Sequence, residues 1–219
     1  MIKIIVYTGL SLPFDEAKEI LDSCDDVEVI YKKPIKRGDL GQALKENPDI
    51  IAIIDGVFHQ NSAVGHKEIL KVMNNGIKVY GASSMGALRA SELDTLGMIG
   101  VGYVYSQYAT NKVDSDDDVA VMLDGDTLEA LSEPLINMDY VFSNAVNENI
   151  IYESEKDELM KIAKSTYYPQ RNYAQTLGKS SLSDDKKGDL IDFIRQSPDI
   201  KKEDAKELLE NIKNEIGKS

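Results

Sequence analysis

Ile77-Lys78-Val79-Tyr80-Gly81-Ala82-Ser83-Ser84-Met85-Gly86-Ala87-Leu88-Arg89 joins two different hydrophobic patterns across a cluster of small residues. Ile77–Tyr80 reads as a buried strand, and Ala87 to about Leu96 reads as a helix. Ser84 therefore sits on a strand-to-helix turn, with Ala82 two residues before it and Gly86 two after. That is the A-x-S-x-G form of a nucleophile elbow. Small neighbours let the backbone turn sharply and lift the hydroxyl above the sheet edge. The helix start then offers free N–H groups to an oxyanion, which makes Met85 and Gly86 candidate donors. Counted from Gly81, the glycine-x-serine-x-glycine order is broken at Met85. A serine in this place also serves as an ordinary N-cap, and small residues here also permit close helix–strand packing.

Working outward, three more apolar runs read as strands: Lys3–Tyr7, Val27–Tyr31 and Asp49–Ile54. Helical patterns lie between the strands, at Phe14–Ser23, about Gly38–Glu46 and Val64–Asn74. Strands alternating with helices imply βαβ units. The unbroken run Ile50-Ile51-Ala52-Ile53-Ile54 fits a strand covered on both faces. The expected fold is α/β, a mainly parallel sheet flanked by helices, with a largely helical C-terminal region. Past Leu96 the pattern predicts a glycine-rich turn, a short strand near Tyr103–Tyr105 and a helix opening near Asp116. From about Asn137 the chain reads as helical, with breaks at Tyr168-Pro169 and Ser197-Pro198. Ala205, Leu208, Leu209, Ile212 and Ile216 form one stripe of a final amphipathic helix, which docks on its own domain or on a partner.

A chain of 219 residues suffices for one large domain or a domain with an appendage. The net charge of −13 is unevenly placed. Residues 1–150 hold 12 Lys and Arg against 24 Asp and Glu, whereas residues 151–219 hold 13 against 14. This step suggests a core domain over 1–150 and a helical region over 151–219. An acidic core repels phosphate backbones, which argues against nucleic acid as a partner. No apolar run approaches the roughly 20 residues that span a bilayer, so no membrane is expected. Met1–Tyr7 reads as a strand and not as a signal peptide. The single cysteine, Cys24, excludes an internal disulfide and fits a reducing, cytoplasmic setting.

Ligands of parallel α/β sheets bind at the carboxyl ends of the strands. Thr8-Gly9-Leu10-Ser11 follows the first strand, and Asp55-Gly56-Val57-Phe58-His59 follows the third. The helix between the third and fourth strands opens at the same edge with Val64-Gly65-His66-Lys67-Glu68, and Ser84 tops the fourth. Topology thus brings Lys67 or His66 near Ser84. Both cannot face it, because adjacent helical residues diverge by about 100°. A histidine would give a Ser-His arrangement oriented by Asp55 or Glu68. A lysine must be neutral to accept a proton, which burial and a helix N-terminus both favour. Lys67 in a first helical turn is poorly placed for stability, a hint of another task. The N–H groups of Gly9, Leu10 and Ser11 join that of Met85 as candidate oxyanion donors.

Two other patterns imitate known sites. Gly97-Met98-Ile99-Gly100-Val101-Gly102 resembles a dinucleotide loop, but it runs G-x-x-G-x-G and is expected to precede a strand. Asp114-Ser115-Asp116-Asp117-Asp118 resembles a calcium loop, but it has Val119 at the sixth position and Gly125 at the twelfth. No clustered His/Cys set supports a metal, and no cofactor is expected. Arg89 lies off the face of Ser84 and three residues before Glu92, as in a bracing ion pair.

Taken together, several runs resemble the core of the TfuA-like proteins. They are Ile54-Asp55-Gly56-Val57-Phe58, Val64-x-His66-Lys67-Glu68-Ile69-Leu70, Gly81–Leu93 and Gly97-Met98-x-Gly100-Val101-Gly102. Ser11-Leu12-Pro13, Arg37-Gly38-Asp39 and Asp117–Val121 extend the likeness. The resemblance implies a partner of a YcaO enzyme in peptide backbone thioamidation, of which the archaeal substrate is methyl-coenzyme M reductase. It implies hydrolysis of the C-terminal thiocarboxylate of a ubiquitin-like sulfur carrier of the ThiS type, and promotion of YcaO's engagement with its substrate. The family's Ser-Lys pair maps onto Ser84 and Lys67. The competing expectation is a non-catalytic adaptor that recruits YcaO and its substrate. Cys24, expected at the sheet edge opposite the site, is ill placed to relay a persulfide, so sulfur is expected to leave as sulfide.

Overall fold

A computed structural model describes residues 1–24, 26–58, 62–113, 115–122 and 130–217. The chain divides into two compact units: Met1–Asp114 with Ile200–Ser219, and Ser115–Asp199.

The first unit is built on five parallel strands: β1 (Ile2–Tyr7), β2 (Val27–Lys32), β3 (Ile50–Ile53), β4 (Lys78–Gly81) and β5 (Ile99–Gly100). Their order is β2-β1-β3-β4-β5, so the winding reverses between β1 and β3. Five helices accompany the strands: α1 (Phe14–Leu21), α2 (Asp39–Ala43), α3 (His66–Met73), α4 (Met85–Leu93) and α5 (Gly102–Ala109). Ile4, Val6, Ile50, Ala52, Ile54, Tyr80 and Ala82 form one apolar face, packed with Ala17 and Leu21 of α1. Residues of the opposite parity, Ile5, Ile51, Ile53 and Val79, are equally buried. Both faces are covered, so these strands read as continuous apolar runs without alternation.

The turn from β4 into α4 is closely packed. A Cβ on Gly86 would lie 1.7 Å from the Ile53 carbonyl oxygen, and one on Gly81 would lie 2.2 Å from that of Gly86. Only glycines let α4 start directly against β3 and β4.

After β5 the structure departs from the expected strand at Tyr103–Tyr105, which belongs to α5. The β-branched and aromatic residues there favour a strand locally. Tertiary contacts override them. Asp204 accepts hydrogen bonds from the N–H groups of Tyr103 at 2.8 Å and Val104 at 2.7 Å, which satisfies the start of a helix. Gly102, at φ +91°, makes room for that carboxylate. The glycine pattern before it therefore does open a helix, but its free N–H groups are held by the protein's own Asp204. Asp204 is supplied by α10 (Ile200–Ile216), whose Ala205, Leu208, Leu209 and Ile212 are fully buried against the α1 face of the sheet. The amphipathic C-terminal helix thus docks on its own unit.

The second unit contains α6 (Leu135–Asn147), α7 (Glu153–Ser165), α8 (Tyr173–Lys179) and α9 (Asp184–Gln196). Phe142, Met138, Leu159, Ala163, Leu177 and Leu190 are among the residues of its core, and Tyr173 packs edge-on to Phe142 at 5.8 Å. Buried Arg171 donates to the carbonyls of Ala163 at 3.1 Å and Thr166 at 3.5 Å, a cation at the C-terminal end of α7. The helix expected from Asp116 is reduced to a single 3₁₀ turn, Asp116–Asp118. There the Asp118 carboxylate accepts from the Ser115 N–H, so the aspartate binds its own backbone and competes with a longer helix. The charge step near residue 150 falls inside this unit, between α6 and α7.

Candidate functional site

The carboxyl ends of β1, β3 and β4 carry the polar groups expected at this edge. Ser84 is the N-cap position of α4, yet its hydroxyl makes no capping hydrogen bond. Its backbone lies outside the helical and extended regions, at φ −125° and ψ −118°. Its N–H closes a tight turn onto the Ala82 carbonyl at 2.8 Å. Ser84 is 4% exposed, so its side chain is neither a solvated surface hydroxyl nor a cap. The N–H of Met85, at the first position of α4, has no hydrogen-bond partner among the described residues. That of Gly86 donates to Ile54 at 3.2 Å. Of the two donors expected at this helix start, Met85 is open and Gly86 is part of the packing.

Asp55 is buried and fully employed. Its carboxylate accepts from the N–H groups of Leu10 and Ser11, each at 2.8 Å, and from the Ser11 hydroxyl at 2.6 Å. It clamps the loop after β1 to the end of β3, at the point where the winding reverses. Leu10 and Ser11 therefore spend on Asp55 the N–H groups expected to face an oxyanion. Only the N–H of Gly9 lies outside that grip. Asp55 is equally unsuited to orient His66.

His66 and Lys67 are the first two residues of α3, and both are exposed. His66 Nε2 lies 2.7 Å from Glu92 Oε2. Glu92 also accepts from Arg89 Nη1 at 2.7 Å, and Arg89 Nε donates to the Val64 carbonyl at 3.0 Å. This chain of contacts fastens α4 to the entry of α3, in keeping with a bracing role for Arg89. The carboxylate on His66 is Glu92, in place of the expected Asp55 or Glu68. Glu68 instead closes a capping box on the Gly65 N–H and accepts from the Gly38 N–H at 2.7 Å. Lys67 is not enclosed by the fold, so the burial expected around a neutral lysine is absent from the free protein. Its place in the first turn of α3 is as expected. Arg37, Gly65, His66, Lys67 and Glu68 line an open cleft of about 390 Å³. Arg37 is held there by its N–H on the Ser62 carbonyl at 2.8 Å and its Nε on that of Ala63 at 3.3 Å.

Ser83 is a feature that the sequence reading passes over. It adopts φ +69°, the left-handed region that non-glycine residues avoid. It is fully buried, and its hydroxyl has no hydrogen-bond partner among the described residues. Glu92 as the partner of His66 is also missed, although its spacing from Arg89 is visible. His59, Asp114 and Gly125 lie outside the described residues. Among the described residues no group of His, Cys, Asp and Glu is arranged to hold a metal, and no helix is long and apolar enough to cross a membrane.

A comparison with curated proteins finds no match for the chain. A protein-family model described as TfuA-like protein matches residues 55–172, which is 118 of the 219 residues. The matched span begins at Asp55 and contains His66, Lys67, Ser84 and the Arg89–Glu92 pair; it leaves out the Gly9–Ser11 loop and α10. With more than half its length matched, and with the edge built from Asp55, α3 and the β4–α4 turn inside the match, this chain belongs to the TfuA-like family.

Proposed function

We propose that this protein is a thiocarboxylate hydrolase that releases sulfide for peptide backbone thioamidation by a YcaO enzyme. Its substrate is the thiocarboxylated tail of a ubiquitin-like carrier of the ThiS type, and methyl-coenzyme M reductase is the proposed archaeal target of the thioamidation. The observation that carries the reading is Ser84 on the β4–α4 turn: buried, off the cap, and followed by an open N–H at Met85.

In the proposed reaction the Ser84 oxygen attacks the thioacid carbonyl carbon while its proton passes to Lys67. The Met85 N–H and the positive end of α4 stabilise the oxyanion. Collapse breaks the C–S bond, and Lys67 gives the serine proton to the departing sulfur, so hydrogen sulfide leaves and a seryl ester and a neutral lysine remain. Water, deprotonated by the same base, then hydrolyses the ester to a carboxylate-ended carrier and restores Ser84. The sum is thiocarboxylic acid plus water giving carboxylic acid plus hydrogen sulfide, so no oxidant or nucleotide is consumed. Lys67 is exposed in the free protein, so the docked carrier must supply its desolvation. That couples activation of the base to arrival of the substrate.

His66 is the second reading for the base, favoured by its 2.7 Å contact with Glu92, a carboxylate placed to fix an imidazole. The two separate by mutation. With Lys67 as base, Lys67→Ala and Lys67→Arg both abolish hydrolysis, since arginine stays charged. His66→Ala then has a modest effect. The reverse ranking assigns the base to His66.

The experiment that tests the function itself is sulfide release from thiocarboxylated carrier by the purified protein, with neither YcaO nor ATP. Release under those conditions supports the hydrolase. Release that strictly requires YcaO supports the adaptor, in which this chain only recruits the enzyme and its substrate.

A further inference from the structure

Ser83 carries two costs that a glycine would avoid. Its φ of +69° is unfavourable for any residue with a Cβ and free for glycine. Its hydroxyl is buried without a partner among the described residues, the kind of group that folded proteins almost always satisfy. The chain uses glycine at the neighbouring positions Gly81 and Gly86, where backbones approach closely, yet keeps serine here. Strain and an unsatisfied donor at one residue are otherwise rare, and such costs persist where the surrounding structure holds them for a task. The residue lies directly before Ser84, on the same turn, beside the open N–H of Met85.

We infer that Ser83 is a positioning residue for Ser84. This rests on the reading of Ser84 as nucleophile. The Ser83 O–H, idle in the resting protein, donates a hydrogen bond to the Ser84 oxygen as the proton of Ser84 leaves for the base. Negative charge develops on that buried oxygen, where a donor is worth more than in bulk water. No bond to Ser83 forms or breaks. The Met85 N–H is left for the substrate oxygen, so the two donors serve different atoms.

The test compares Ser83→Gly and Ser83→Ala with wild type and with Ser84→Ala. Three readouts are taken: melting temperature, the kcat and KM for carrier hydrolysis, and the rate at which a sulfonyl fluoride labels Ser84. Ser83→Gly relieves both costs, and its melting temperature should rise by about 2–4 °C. Both variants should lose at least about 10-fold in kcat with KM unchanged, and Ser84 should label more slowly in proportion. A more stable Ser83→Gly protein with wild-type kcat and wild-type labelling overturns the assignment of Ser83 alone. A wild type in which Ser84 neither labels nor is needed for hydrolysis overturns the reading of Ser84, and this inference with it. Loss of activity in Ser83→Ala that Ser83→Gly restores would mean that only the backbone matters, and would also overturn the role given to the hydroxyl.

Discussion

Gly86 and Arg89 illustrate how the site is held at the scale of single residues. A methyl group at Gly86 has the Ile53 carbonyl oxygen in its way, and that atom is backbone that cannot turn aside. Gly86→Ala should therefore cost at least about 3 kcal/mol, the range of severe overpacking, read as a lowered denaturant midpoint. Arg89 and Glu92 act as a unit with Val64 and His66. Arg89→Ala and Glu92→Ala should each destabilise by about 1 kcal/mol, and the double variant by clearly less than their sum. Strict additivity would show that the contacts are independent, and unchanged stability with weakened carrier binding would make Arg89 a substrate contact. Ser84, Gly86 and the opening of α3 were legible in the sequence, because a helical pattern begins at each place after a continuous apolar strand run or the loop that follows one. The employment of Asp55 was not. Its position at the end of β3 is written in the chain, but its partners at Leu10 and Ser11 lie some 45 residues away and depend on which strands become neighbours. The left-handed backbone of Ser83 was hidden for a similar reason, since serine itself gives no sign of positive φ.

Among the elements, α5 and α10 depend on each other. The N–H groups at the start of α5 are satisfied by Asp204 of α10, a buried charge-assisted pair of hydrogen bonds. Asp204→Asn keeps the shape but loses the charge and one acceptor geometry, and should lower stability by about 1.5–3 kcal/mol. Hydrogen exchange at Tyr103 and Val104 should accelerate with it. An unchanged exchange pattern would mean that α5 forms without its partner. The same dependence explains why Tyr103–Tyr105 reads as a strand in isolation: the group that makes it a helix comes from a hundred residues further on. The other end of α10 is fastened by Glu215, which pairs with Lys78 and accepts from the Tyr80 hydroxyl on β4. These hydrogen bonds hold its carboxyl below the ordinary value near 4.5. A carboxylate with a lowered folded pKa adds stability above its unfolded pKa and loses it as pH falls through the folded one. Glu215→Gln should thus melt below wild type at pH 7, and the gap should close as the pH drops below about 4.5. A gap independent of pH would assign the effect to shape alone.

At the scale of the whole molecule, the alternation of strands and helices carried the fold class, and the parallel order followed from it. The return of α10 to the sheet unit was an open choice in the sequence, because an amphipathic stripe states that a face is buried without stating by what. The division at Ser115 and Ile200 differs from the step in charge near residue 150, since charge records which surfaces are solvated and not which helices share a core. Arg37 and Lys67 supply positive charge beside His66 at the cleft, which suits the anionic tail of the proposed substrate. Ser84 is the proposed nucleophile. Its most direct test is sulfide release from thiocarboxylated ThiS-type carrier by Ser84→Ala and wild type, measured side by side without YcaO or ATP. Ser84→Ala should lose at least about 10³-fold in kcat with an unchanged melting temperature, as expected when a nucleophile is removed from an intact site. Release by Ser84→Ala at a rate near wild type would contradict it.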